Sequence, residues 1–238
     1  MKTIIIATHN AHKVGEIRAI LGDAFQLLTL NDFPKVPKVV EDANTFVGNA
    51  TKKAVELARW FYAAFPPTRQ ASPLYVLADD SGLEVDALDG GPGVHSARFA
   101  AADATRSGNT PDARNNAKLM RLLQEVPFEK RRARFHCVIA LALVPEPKTT
   151  SASPVCYADE LEVQTFEGTC EGRIGFAPRG KKGFGYDPLF VPVGLEKTFA
   201  ELGEEVKNKL SHRAKALEKL KDYFTPRDPK PKASFDTL

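Results

Sequence analysis

No stretch of this chain approaches the roughly 20 apolar residues needed to cross a bilayer; the longest apolar run is Cys137 to Val144. The segment Met1 to Thr8 has too short an apolar core for a signal peptide, and no small-residue cleavage site follows it. Cysteine is scarce. Cys137, Cys156 and Cys170 are widely spaced, with no C-x-x-C pair. That argues against a disulfide framework and a zinc site, and makes a reducing cytoplasm the expected compartment. Charge of one sign is lacking too: 33 Lys and Arg against 30 Asp and Glu leave a net charge of +3. So small an excess gives no support to a nucleic-acid coat or a membrane-surface role. Among catalytic signatures, G-x-S-x-G and H-E-x-x-H are absent, and the first loop lacks the glycines of a P-loop or a dinucleotide fingerprint. The chain holds 16 Gly and 17 Pro, with no repeat or low-complexity segment, so collagen-like and disordered classes are excluded as well.

What is present is an α/β pattern. A length of 238 residues suits one large domain or two small lobes. Thr3 to Thr8 predicts a buried strand, His9 to His12 a turn, and Lys13 to Gly22 a helix carrying Val14, Ile17, Ile20 and Leu21. Residues 31–44 read as irregular. Thr45 predicts the N-cap of a second helix with Phe46, Ala50, Ala54, Leu57 and Phe61 on one face. Leu74 to Ala78 predicts a strand with Asp79-Asp80-Ser81-Gly82 at its end, and Leu83 to Ala87 a second short strand. Thr110-Pro111 opens a helix to about Val126, and Arg132 to Val144 is the longest strand candidate. Tyr157 to Thr169 and Glu171 to Phe176 read as paired strands. A last helix spans about Val206 to Phe224, with Leu210, Ala214, Leu217 and Leu220 on its buried stripe. Loops are expected at 64–73 and 145–154, and a loose tail at 226–238. Helices interleaved with hairpin-like strands imply a mixed sheet.

Five segments could carry chemistry. Thr8-His9-Asn10-Ala11-His12-Lys13 places a loop at a helix N-terminus, where unpaired amides and a lysine suit phosphate; such turns are also common in α/β proteins. Asp79 and Asp80 are vicinal carboxylates whose burial is costly unless they are paired or metal-bound, and hard oxygen ligands suit Mg²⁺. The bland alternative is a solvated turn. Glu41 and Asp42 are further candidate ligands, with a solvated loop as the simpler reading. In Gly183-Phe184-Gly185-Tyr186-Asp187-Pro188 two glycines bracket an aromatic, so backbone can approach a ligand while a ring stacks on it; a turn with buried aromatics reads equally well. Lys207, Ser211, His212, Arg213 and Lys215 form a basic helix face, with Lys207 and Ser211 at i, i+4, unless this is a solvated surface. Gly90 to Phe99 reads as a connecting loop.

In this order the segments resemble the inosine triphosphate pyrophosphatase family, its bacterial members in particular. The likeness rests on T-x-N-x-x-K (Thr8, Asn10, Lys13), T-F-x-x-N-A-x-x-K-A (Thr45 to Ala54) and A-D-D-S-G-L-x-V-D-A-L (Ala78 to Leu88). It continues through G-x-P-G-x-x-S-A-R ending at Arg98, G-F-G-Y-D-P-x-F (Gly183 to Phe190) and K-x-x-x-x-H-R (Lys207, His212, Arg213). It covers Thr3 to about Phe224. The resemblance implies an elongated, two-lobed α/β protein, with a mixed twisted sheet flanked by helices and a central cleft. It also implies one domain over residues 1–225 and a cytoplasmic homodimer. The implied activity is Mg²⁺-dependent hydrolysis of ITP, dITP and XTP to the monophosphate and pyrophosphate. By the same resemblance Thr8, His9, Asn10, Ala11, His12 and Lys13 bind phosphate, and Asp80 is catalytic and holds the metal with Glu41. Ser81, Phe184, Gly185, Tyr186, Asp187, Lys207, His212 and Arg213 bind substrate. Gly48 departs from the pattern, since the family often has Glu before the Asn of the second motif. The loops at 64–73 and 145–154 and the tail are additions to it.

In the expected mechanism Asp80, or a water it orients, attacks at the α-phosphorus. Arg213 or amides of the 184–187 loop donate to the 6-oxo group that separates inosine and xanthosine from adenosine. The alternatives are a modified or pyrimidine nucleotide diphosphatase on a related fold and a non-catalytic nucleotide-binding regulator. Vicinal acids argue against the latter.

Overall fold

The structure is a computed structural model that describes residues 1–65, 73–101, 109–144 and 161–225. Loop 145–154, tail 226–238, Cys156, most of loop 64–73 and the start of the expected Tyr157 strand lie outside the described residues.

Six strands form one sheet in the order β2-β1-β3-β4-β5-β6. β1 (Thr3–Ile6) lies parallel to β2 (Gln26–Thr29) and to β3 (Leu74–Val85). From β3 onward every pairing is antiparallel, through β4 (Arg132–Leu143) and β5 (Val163–Ile174) to β6 (Phe190–Pro192). The mixed sheet follows from the chain's own order. Helix α1 (Ala11–Leu21) returns the chain parallel from β1 to β2, and α2 (Phe46–Ala64) precedes β3.

Alternation along the strands divides the core. Ile5, Val76, Ala78, Val138 and Ala140 face α2, whose expected stripe of Phe46, Ala50, Ala54, Leu57 and Phe61 is buried against them. Thr45 caps α2, its Oγ1 accepting from the Gly48 amide at 3.1 Å. Ile4, Ile6, Leu77, Ile139 and Leu141 face the other way, onto Ile17 of α1 and Leu217 and Leu220 of α6 (His212–Phe224). Each fully buried side chain of this size contributes about 1.5–3 kcal/mol. A third cluster joins Leu83, Val85, Phe135 and Ile174 at the far ends of the long strands to Leu119 of α3 (Asp112–Leu122), Tyr186 and Phe190. The cleft opens between this far end and the α1 side of the sheet. Among the described residues no helix is long and apolar enough to cross a membrane.

Several expectations are corrected. Asp79-Asp80-Ser81-Gly82 does not end a strand: β3 runs through it, because β4 pairs residue for residue from Asp79↔Ile139 to Gly82↔His136. Cross-strand pairing overrides the low strand propensity of these residues. The Thr169/Glu171 break is likewise absent; β5 is continuous and pairs along β4. The last helix is two, α5 (Glu204–Leu210) and α6, with Ser211 extended between them and its Oγ capping the Ala214 amide. Lys207 and Ser211 therefore do not share one helix face, and Leu210 is exposed rather than core. β2, β6 and the one-turn helix α4 (Phe199–Leu202) carry too few residues to show a period.

Candidate active site

The cleft is lined by Thr8, Asn10 and Lys13 at the α1 end, by Glu41, Asp80 and Ser81 at its centre, and by Phe184 to Asp187, Lys207, His212 and Arg213 beyond. These predicted residues thus share one crevice. His9, Ala11 and His12 do not line it. The His9 ring meets Asn31 at 3.4 Å, and the His12 ring stacks on Phe184 with centroids 5.1 Å apart.

The α1 turn differs from its sequence reading. Asn10 is the N-cap, and its Oδ1 already accepts from the His12 and Lys13 amides at 2.9 and 3.2 Å. The turn therefore offers an anion fewer free amides than the sequence implies.

Beneath it runs a chain of alternating charge. Lys13 pairs with Asp79, Asp79 with Arg213, Arg213 with Glu16, Glu16 with Lys207, and Lys207 with Asp187. Asp79 and Arg213 are each 1% exposed at the side chain. Arg213 donates through Nε to Asp79 at 2.7 Å and through Nη2 to Ser81 at 2.9 Å, so its fork is committed to the protein. Burial opposes the Asp79 charge, yet Arg213 and Lys13 outweigh it and hold the carboxyl well below the usual carboxylate range. Glu16 is lowered in the same way, burial being outweighed by Arg213 and Lys207. Breaking one such buried pair leaves an uncompensated charge and costs about 3–5 kcal/mol.

Asp80 is different. Its Oδ2 accepts from Asn49 Nδ2 at 3.0 Å, and it forms no ion pair among the described residues. Burial first, and the Glu41 carboxylate after Lys13 opposes it, leave its pKa raised to about 6. Glu41 is bridged by Lys53. Two carboxylates at one cleft, one of them without a paired cation, fit a hard dication that takes one or two carboxylates and completes its shell with water and phosphate. Among the described residues no cluster of three or more His, Cys, Asp or Glu offers a closed metal cage. Gly48 cannot supply the missing family carboxylate, and its tight turn explains the small residue: an added Cβ would lie 2.8 Å from Ala43 Cβ.

Gly82 is required by contact. The turn Gly93–Arg98 sits on it, and a Cβ there would lie 2.4 Å from the Gly93 carbonyl oxygen. Ser96 accepts from the Leu83 amide at 2.9 Å, and its own carbonyl accepts from Tyr186 Oη at 2.9 Å. The segment read as a connecting loop thus ties β3 to the 184–187 loop.

The Ham1 family model matches residues 4–223. The chain belongs to the Ham1 family. Its sequence is 46% identical to the dITP/XTP pyrophosphatase of Geobacillus kaustophilus over 94% of this chain and 95% of that protein. It is 45% identical to the dITP/XTP pyrophosphatase of Geobacter sulfurreducens over 94% and 97%. Its fold matches the solved HAM1 protein of Coxiella burnetii with a TM-score of 0.72 at 36% identity, covering 94% of this chain and 98% of that one. The resemblance drawn from six ordered motifs, and the mixed-sheet α/β class, both hold for this Ham1 protein.

Sequence reading gave no role to Glu16, Asn49, Lys53, Arg98 or Asp112. Glu16 stands three residues after Lys13, on the same face of α1, and Asn49 and Lys53 are i, i+4 on α2; both spacings are visible in the sequence. Nothing in the sequence marks Asp112.

Proposed function

We propose that this protein hydrolyses deaminated purine nucleoside triphosphates, ITP, dITP and XTP, to the monophosphate and pyrophosphate, with Mg²⁺ as cofactor. The observation that carries the reading is the charge pattern of the cleft. Lys13, Lys207 and Arg213 are each neutralised by a carboxylate, while Asp80 has no cation bonded to it among the described residues. A triphosphate brings about four negative charges to this cleft, so a dication at Asp80 and Glu41 completes the balance. When bound there, Mg²⁺ offsets the charge that develops as the α–β anhydride bond breaks.

The protein's own groups do the rest. Lys13 and the α1 turn hold the phosphate tail. Asp80, ionised at neutral pH, orients the attacking water. Phe184 offers a ring to the base; His12 stacks on it, and the Lys207 ammonium lies 4.2 Å from its centroid. The amides of Phe184 and Gly185 already donate to Asp187 and Asp112, and Arg213 is committed below. The Tyr186 amide and His212 remain as donors to the 6-oxo group, and both line the cleft. We assign the role to His212: burial, with Arg213 and Lys207 nearby, holds its imidazole neutral, and its Nδ1 has no partner among the described residues. The resemblance adds a cytoplasmic homodimer, which sedimentation equilibrium tests.

The deciding assay is pyrophosphate release from ITP, XTP, GTP and ATP with Mg²⁺ or with EDTA. Release from ITP and XTP only with Mg²⁺ is expected. Equal kcat/KM for all four would remove the selectivity, and undiminished release in EDTA would remove the metal.

A further inference from the structure

We infer that Asp112 and Asn116 on α3 are positioning residues for base recognition, clamping the loop 184–187 from the α3 side, where Asp112 stands at the cleft wall and Asn116 behind it. The inference rests on the reading above that this loop meets the base.

The loop closes on itself at one side only. The Phe184 amide donates to Asp187 Oδ2 at 2.9 Å, and the Asp187 amide donates to the Phe184 carbonyl at 3.2 Å. Between them Gly185 adopts φ +62°, a conformation that leaves its own amide and carbonyl pointing away from that turn. Both are met by one helix face. The Gly185 amide donates to Asp112 Oδ2 at 2.6 Å, and its carbonyl accepts from Asn116 Nδ2 at 3.0 Å. Asp112 and Asn116 are four residues apart, so they project from α3 side by side. They hold the peptide that joins Gly185 to Phe184 and the peptide that joins it to Tyr186. The plane of each ring follows from those two peptides.

The choice of side chain is informative. Asn116 is 9% exposed, and its Oδ1 has no hydrogen-bond partner among the described residues. A buried orphan oxygen is unfavourable, so packing alone would be better served by leucine. The amide cannot flip to relieve it, because the Gly185 carbonyl only accepts and must face the NH₂ group. The fold thus keeps a buried polar group whose contact is with the recognition loop.

The experiment compares Asp112→Ala, Asp112→Asn and Asn116→Leu with the unaltered protein. It reads kcat and KM for ITP, the inhibition constant of inorganic tripolyphosphate, which has no base, and hydrogen exchange of the Gly185 amide. Asp112→Ala is expected to raise KM about tenfold, the scale of one lost charge-assisted hydrogen bond, and Asn116→Leu about fivefold, the scale of a neutral one. Their tripolyphosphate inhibition stays within twofold of wild type, and the Gly185 amide of Asp112→Ala exchanges about tenfold faster. Asp112→Asn keeps an acceptor oxygen and restores KM to within about threefold. The clamp is overturned if KM stays unchanged, if KM and tripolyphosphate inhibition worsen together, or if Asn at 112 is as damaging as Ala. Wild-type protein that releases no pyrophosphate would instead sink the proposed function. The exchange measurement then decides the clamp alone, with unaltered Gly185 exchange in Asp112→Ala counting against it.

Discussion

Asp79 and Asp80 are consecutive on one strand, and the two faces of the sheet treat them in opposite ways. Asp79 points toward α1 and α6, where Lys13 and Arg213 hold it as a fully paired anion. Asp80 points toward α2, where an amide from Asn49 meets it and burial lifts its pKa to about 6. Side chains alternate across a strand, so one residue of register separates an ion-paired carboxylate from one that meets only a neutral amide. The paired face supplies rigidity. The other keeps a carboxylate whose charge is not yet balanced, the condition under which a cation and its phosphate ligand bind with most to gain.

The comparison breaks most sharply in turnover. Asp80→Asn is expected to lower kcat at least about 10²–10³-fold while leaving circular dichroism intact and the melting transition no lower than that of wild type; near-normal turnover would erase the distinction. Asp79→Leu is expected to act through stability. Lys13 would lose its carboxylate and Arg213 would keep only Glu16, at about 3–5 kcal/mol in urea denaturation. A loss below about 1 kcal/mol would show that the paired face is not what holds the floor. Asn49→Ala removes the donor that meets Asp80 and the acceptor of the Ala43 amide, and about 1–3 kcal/mol is expected.

Acid titration sharpens the contrast further, since the two shifts have opposite sign. Asp79, depressed in the fold, contributes stability that is present above its unfolded pKa near 3.8 and is lost as pH falls through the folded value. Asp80, raised in the fold, favours the protonated form, so metal-free protein loses stability as pH climbs from 3.8 to about 6. Asp80→Asn lacks that second dependence. Without metal, its stability relative to wild type should therefore improve between pH 4 and pH 7, and a flat difference in urea midpoints would contradict the raised Asp80.

Much of the site was legible because its motifs are local. T-x-N-x-x-K marks the turn that leads into the first helix, and that turn is there, although Asn10 caps amides that the sequence reading leaves free. The α2 stripe follows from period 3.6 alone, and every member is buried. The vicinal acids were marked as costly to bury, and both are buried. Illegible features all depend on partners far away in the chain. Arg213 lies 134 residues from the aspartate it grips, and Asp112 lies 73 from the glycine it holds. The break at Ser211 was hidden for a related reason: its neighbours have ordinary helix propensity, and the Ser211 cap on the Ala214 amide joins the packing of α6 against β5 in setting where the new helix begins.

The sequence by itself determined the α/β class, the family and most of the motif residues that meet in the cleft, since periodicity and ordered motifs are written along the chain. Tertiary structure decided which carboxylate is neutralised, which amides remain available and what steadies the aromatic loop. Those depend on the register of β3 against β4 and on charges that folding alone brings within reach, where burial makes pairing strong and isolation costly.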